Sequence, residues 1–136
     1  MATVKSFEEL EIWQLSRKLV HDTYAVTNKN RFSKDFSMKD QLRRSSLSVM
    51  NNISEGFESR TVNMFIEYLG RSKASCGETR SIFYAALDQN YIEKIEFEEL
   101  LDLCKTISSK TLRLMQYLEQ YHSNDRVKEV TIQYKT

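Results

Sequence analysis

The chain holds two histidines, His21 and His122, and neither lies in a nucleophile, phosphate-loop or zinc-protease motif. The best chemical arrangement is Glu119 with His122, a Glu-x-x-His spacing that on a helix puts both groups on one face, as di-iron bundles require. Such bundles need the motif twice plus two inward glutamates; here it occurs once, near a frayed helix end, and reads as solvated surface. Cys76 and Cys104 have neither metal-ligand nor redox-motif spacing, and their neighbours place both on apolar helix faces as small core residues. The expectation is a non-enzymatic protein with no catalytic residue, metal or cofactor.

Charge is the remaining chemistry. From Lys29 to Arg44 six basic residues meet only Asp35 and Asp40, while from Asp88 to Asp102 six acidic residues meet only Lys94. One reading has Arg43 or Arg44, with Lys39, Lys34 and Arg31, contacting RNA phosphates by counterion release. The favoured reading has Arg43 and Arg44, which adjoin Gln41, forking onto carboxylates such as Glu55 or Glu78 within the bundle or across a subunit boundary. Adjacent helix residues point about 100° apart, so one of the two must face a neighbour. The two charged segments could then meet head-to-tail between copies and close a ring. Asn51 and Asn52 are expected either to bond the backbone of the turn at 56–61 or to fix subunit register.

The elements that position these groups follow from composition. At 136 residues the chain suits one domain; 40% apolar and 29% charged residues describe a soluble globule, and a net charge of +1 argues against wholesale adhesion to nucleic acid or anionic membrane. No stretch approaches the roughly 20 apolar residues of a membrane span, and no signal pattern opens the chain, so a cytoplasmic location is expected. Zero prolines and three glycines leave little turn chemistry for a sandwich or barrel. Long helices remain, expected at about 6–27, 36–55, 61–88 and 96–121, with 123–136 a flexible tail, mobile or clipped onto a neighbour.

The periodicity is specific. Ser6 to Glu9 is a capping box that opens the first helix, with Ile12, Leu15, Leu19, Thr23 and Val26 on one stripe. Met38, Leu42, Val49 and Ile53 mark the second, closed by Gly56 in a left-handed conformation. Thr61 caps the third, whose seam is Phe65, Leu69, Ser72, Cys76, Thr79, Phe83 and Ala86; Leu100, Cys104, Ile107, Thr111, Leu114, Leu118 and Tyr121 form the fourth. Second stripes (Trp13, Val20 and Tyr24; Leu47 and Met50; Leu101, Ser108, Leu112 and Met115) exceed what one bundle buries and point to self-association. Gly70 and Gly77 each cost roughly 1 kcal/mol in a helix interior, so a close backbone approach is expected there.

The string from Gln41 through Arg43, Arg44, Ser48, Asn52, Ile53 and Glu55 to Gly56 resembles the hallmark of the four-helix-bundle proteins encoded in intervening sequences of bacterial 23S rRNA genes. Phe7, Leu10, Trp13, Leu19, Tyr24 and Thr27 are similar to that family's first helix, and Phe65, Leu69, Ala74-Ser75, Glu78 and Tyr91-Ile92 to its third helix and following corner. The likeness covers about residues 6–120. It departs where the family usually has glycine and this chain has Ala74 and Asn90; alanine suits a helix and asparagine tolerates the left-handed region. The resemblance implies an all-α, up-and-down antiparallel four-helix bundle that assembles as a homo-oligomer, typically a ring of five, without an established activity. Association with RNA is suggested by where such genes lie. A protein–protein adaptor with no nucleic-acid role, binding an unidentified protein through the rim or the tail, is the alternative; no membrane role is expected.

Overall fold

Leu10 decides where the first long helix starts. The Glu9 carboxylate accepts from the amides of Lys5 (2.6 Å) and Ser6 (3.1 Å), but the turn it closes, Phe7–Glu9, is a single 3₁₀ turn. Leu10 is extended (φ −73°, ψ 125°) and fully buried, so the chain interrupts the helix to bury it and restarts at Glu11. In the computed structural model, which describes residues 2–130 and 133–134, the helices are α1 (Glu11–Thr27), α2 (Phe36–Phe57), α3 (Val62–Asp88) and α4 (Lys94–Leu118). Consecutive helices pack side by side, α4 closes on α1, and the result is an all-α four-helix bundle followed by a short non-helical segment.

The stops and starts are chemical. Asp35 caps α2, its carboxylate accepting from the Met38 amide (3.1 Å), and Thr61 caps α3 through the Met64 amide (3.2 Å). Glu96 reaches back to the Glu93 amide (3.0 Å) at the start of α4. Asn30 (φ 31°) and Asn90 (φ 60°) take the positive-φ positions of the two connections at one end of the bundle. Gly56 has no positive φ, and α2 runs past it to Phe57. Its role is room: a Cβ there would lie 2.8 Å from Phe65 Cδ1 and 2.8 Å from Tyr68 Cβ. Within the chain, the glycine that meets a close approach is therefore Gly56, not Gly70 or Gly77. A Cβ on Gly70 would meet only Met115 Cε, at 3.8 Å, and one on Gly77 nothing within 4 Å.

All seven seam residues of α3 are buried, as are Leu100 to Leu118 of the α4 seam. The apolar interior nevertheless divides in two. One cluster, around Leu19, Val49, Cys76, Phe83 and Ile107, lies toward the end with the α1–α2 and α3–α4 connections. The other, around Ile12, Ile53, Phe65, Leu69 and Leu114, lies toward the termini and the α2–α3 turn. Between them sit the buried hydroxyls of Ser16, Ser72 and Thr111. The Ser72 hydroxyl donates to the Val49 carbonyl (2.7 Å) and Thr79 to the Ser45 hydroxyl (2.8 Å), so α2 and α3 are joined by side-chain polar bonds as well as by packing.

Residues 123–130, expected to be mobile or clipped onto a neighbour, pack on the chain's own bundle. The Val62 and Asn63 amides donate to the carbonyls of Asp125 (2.8 Å) and Ser123 (3.1 Å), and Val127 and Val130 are buried with Val4 and Leu10. Gln133–Tyr134 (β2) pairs antiparallel with Ala2–Thr3 (β1), the partner that sequence reading lacked. Part of the expected strand, residues 131–132, lies outside the described residues.

Candidate nucleic-acid interface

The α1–α2 connection carries Phe32, buried and stacked on Tyr91 of the α3–α4 connection (centroids 5.0 Å). The Tyr91 hydroxyl donates to Asp35 (2.9 Å), a bond that holds its phenol above the usual tyrosine range. The two oppositely charged segments therefore share one end of one chain. Lys29 pairs with Glu96 across them. The head-to-tail attraction expected between copies is, for this pair, satisfied within the chain.

The basic residues are arranged on aromatic rings. Arg31 lies over Tyr91 (5.6 Å to the centroid), Lys39 over Phe36 (4.9 Å) and Arg43 over Tyr24 (4.3 Å). Arg43 also donates from Nε to Thr27 Oγ1 (2.9 Å) and from Nη2 to Asn28 Oδ1 (2.9 Å), so it clamps α2 to the end of α1. Arg44 is exposed and pairs with Asp40 on its own helix (2.9 Å). Within the chain neither arginine forks onto Glu55 or Glu78, both of which are exposed: Arg43 has neutral partners and Arg44 an i,i+4 partner on its own helix. Lys34 is exposed, and Lys39 donates to the Ser33 carbonyl (3.0 Å). Among the described residues Arg31, Lys34, Lys39 and Arg43 have no carboxylate ion-pair partner, so four positive charges stay uncompensated by contact.

Sequence reasoning missed Phe36 as part of this end. It is 72% exposed, the largest exposure among the described bulky apolar side chains, which leaves roughly 1.5–3 kcal/mol of burial unrealised. The available signal was its i,i+3 spacing to Lys39, which puts ring and ammonium on one helix face. With Ser37, Lys39, Asp40, Gln41 and Arg43 it lines an open groove of ≈ 480 Å³. A second groove, ≈ 590 Å³ between α1 and α4, is lined by Lys18, Asp22, Lys29, Glu96, Glu99 and Asp102 over an apolar floor.

The other expected polar residues lie elsewhere. Asn52 donates to the Ser48 carbonyl (2.8 Å) and hydroxyl (2.9 Å), and Ser48 meets the Ser75 hydroxyl (2.8 Å), so Asn52 serves the α2–α3 seam. Glu119 and His122 fall past the end of α4 and share no helical face; the His122 amide donates to Asp125 (3.0 Å). The Cys76 thiol donates to the Cys104 carbonyl (3.2 Å), and the Cys104 thiol is held far above the ordinary range by its hydrogen bond with Cys76 and by burial. Among the described residues no three metal-ligating side chains converge, and no helix is long and apolar enough to cross a membrane.

A family model described as 23S rRNA-intervening sequence protein matches residues 8–113. Among solved structures, a protein of unknown function from the S23 ribosomal protein family of Bacteroides thetaiotaomicron superposes with a TM-score of 0.71 at 19% identity, over 77% of this chain and 98% of that one. That likeness concerns the fold. No curated protein matches the chain.

Proposed function

The chain belongs to the 23S rRNA-intervening sequence protein family, and from that premise we propose a non-enzymatic cytoplasmic scaffold of five self-associated copies that holds RNA weakly through the basic end at residues 31–44. The observation that carries the RNA reading is the set of four cations, Arg31, Lys34, Lys39 and Arg43, without carboxylate partners and interleaved with aromatic rings. Self-association is supported by the second stripes, which the single chain leaves half-buried or exposed, Tyr24 and Leu112 among them. Two free buried thiols suit a reducing compartment.

Sedimentation of the protein, alone and with a structured RNA at about 50 and 200 mM salt, tests both parts. The expected particle is about five times 16.1 kDa. Four phosphate contacts would lower RNA affinity by on the order of 100-fold between those salts. A 16.1 kDa particle at high concentration overturns the assembly, and salt-insensitive binding or none overturns the RNA role. Retention of a protein partner without RNA would favour the adaptor reading.

A further inference from the structure

Phe36 is an aromatic platform set among cations. Lys39 covers part of its ring at 4.9 Å, yet the residue stays 72% exposed. The groove it lines also holds Arg43 and the exposed Gln41 amide, and its one carboxylate, Asp40, is neutralised by Arg44 at 2.9 Å. A flat apolar ring, two cations and an amide fit a ligand with a planar aromatic face beside a negative charge. Resting on the RNA reading of this end, we infer that Phe36 stacks an unpaired nucleobase of single-stranded RNA while Lys39 and Arg43 take the flanking phosphates. Duplex RNA keeps its base faces inside the helical stack, so a ring on the flank of a helix can reach only splayed or single-stranded bases. A second copy of this chain is the less fitting occupant, because the centres of protein–protein interfaces are depleted in charged residues, lysine in particular.

Fluorescence anisotropy tests the assignment with an unstructured RNA strand of about 20 nucleotides, its duplex, and the same strand carrying abasic sites. Phe36→Ala is expected to weaken single-strand binding about 5- to 150-fold without altering the salt slope, and to leave the duplex and the abasic strand unaffected. Lys39→Gln should lower the single-strand salt slope by about 0.7. Phe36→Trp should retain binding, with its indole emission quenched by the single strand; the native Trp13 packs with Phe7 in the cluster at the opposite end and serves as a reference. Salt-dependent single-strand binding that Phe36→Ala leaves intact overturns the stacking role while the basic end keeps its own. Failure of the unaltered protein to bind any of the three RNAs removes both. A change in sedimented size on Phe36→Ala with RNA affinity unchanged would make Phe36 a subunit contact and overturn the inference.

Discussion

The Lys29 ammonium, just past the end of α1, grips the Glu96 carboxylate in the first turn of α4, where Glu96 also accepts from the Glu93 amide. Burial pushes the Glu96 carboxyl up, but the Glu93 amide and Lys29 together outweigh it and hold it below the ordinary 4.5. Lys29 is raised above 10.5, chiefly by the same bond. A carboxyl depressed in the fold stabilises above its unfolded pKa, and that contribution is lost as pH falls through the lowered folded value. The lysine contributes below 10.5 and loses its share only as pH rises past the raised value. Glu96→Gln should therefore cost about 0.5–1 kcal/mol near neutrality, the partly exposed pair being screened, and should flatten the acid limb of stability. Urea midpoints at neutral pH and below 4.5 check this; parallel loss in both proteins would clear Glu96 of the role.

Three alanine substitutions separate the glycines. Gly56→Ala puts a methyl 2.8 Å from Phe65 Cδ1 and Tyr68 Cβ, so α2 and α3 must part, at a cost of about 1–3 kcal/mol. Gly77→Ala meets nothing and should stabilise by about 1 kcal/mol through helix propensity, with Gly70→Ala close behind. Thermal melts give the order. A Gly77→Ala protein that melts lower, or sediments smaller, would show a second copy seated against that position.

The α3 seam was legible because Phe65, Leu69, Ser72, Cys76, Thr79, Phe83 and Ala86 follow the helical repeat, and a repeat is a local property. Glycine roles were not, because the room a glycine makes depends on which helix crosses it: Gly56 faces Phe65, while Gly77 faces open space. For Arg43 the sequence offers RNA phosphates or carboxylates as partners; within the chain its partners are the neutral Thr27 and Asn28, which lie across a connection whose path no spacing rule describes. The charged segments at 29–44 and 88–102 were visible as composition. That Lys29 and Glu96 meet inside one chain follows from two connections sharing one end of the bundle, a consequence of topology rather than of either segment.

Arg43 and Arg44, adjacent in sequence, should part in experiment. Arg43→Ala removes two charge-assisted hydrogen bonds and a contact over Tyr24, and should cost about 1.5–3 kcal/mol. Arg43→Lys should recover little, since an ammonium cannot reproduce the guanidinium fork. Arg44→Ala, which breaks only an exposed i,i+4 pair, should stay within about 0.5 kcal/mol. Denaturant titration of the three variants decides, and equal losses at both arginines would refute the clamp.

Thr111 carries a buried hydroxyl that finds no hydrogen-bond partner among the described residues. Thr111→Val keeps the shape and removes the desolvated oxygen, so a gain of about 1 kcal/mol is expected. The bonded Ser72 should behave oppositely, Ser72→Ala losing about 1 kcal/mol with its bond to the Val49 carbonyl. Calorimetric melting temperatures of the two variants should move in opposite directions; a matched fall would mean that the central hydroxyl layer is satisfied throughout.

Removing residues 123–136 is the natural way to look for a partner that binds the tail, but the packing of Val127 and Val130 makes it a stability experiment first. Both side chains are less than 8% exposed and lie in the cluster with Val4, Leu10 and Val62, so deletion forfeits roughly 1.5–3 kcal/mol for each. The Val62 and Asn63 amides lose their carbonyl partners in the same step. Against a typical stability of about 5–15 kcal/mol for a small domain, a loss of that size should lower the melting temperature by more than about 10 °C. Substituting the exposed Lys128 and Glu129 instead leaves the packing in place and isolates any partner that reads this surface. A truncated protein that melts with the full chain would show that Val127 and Val130 do not hold the last segment to the bundle in solution.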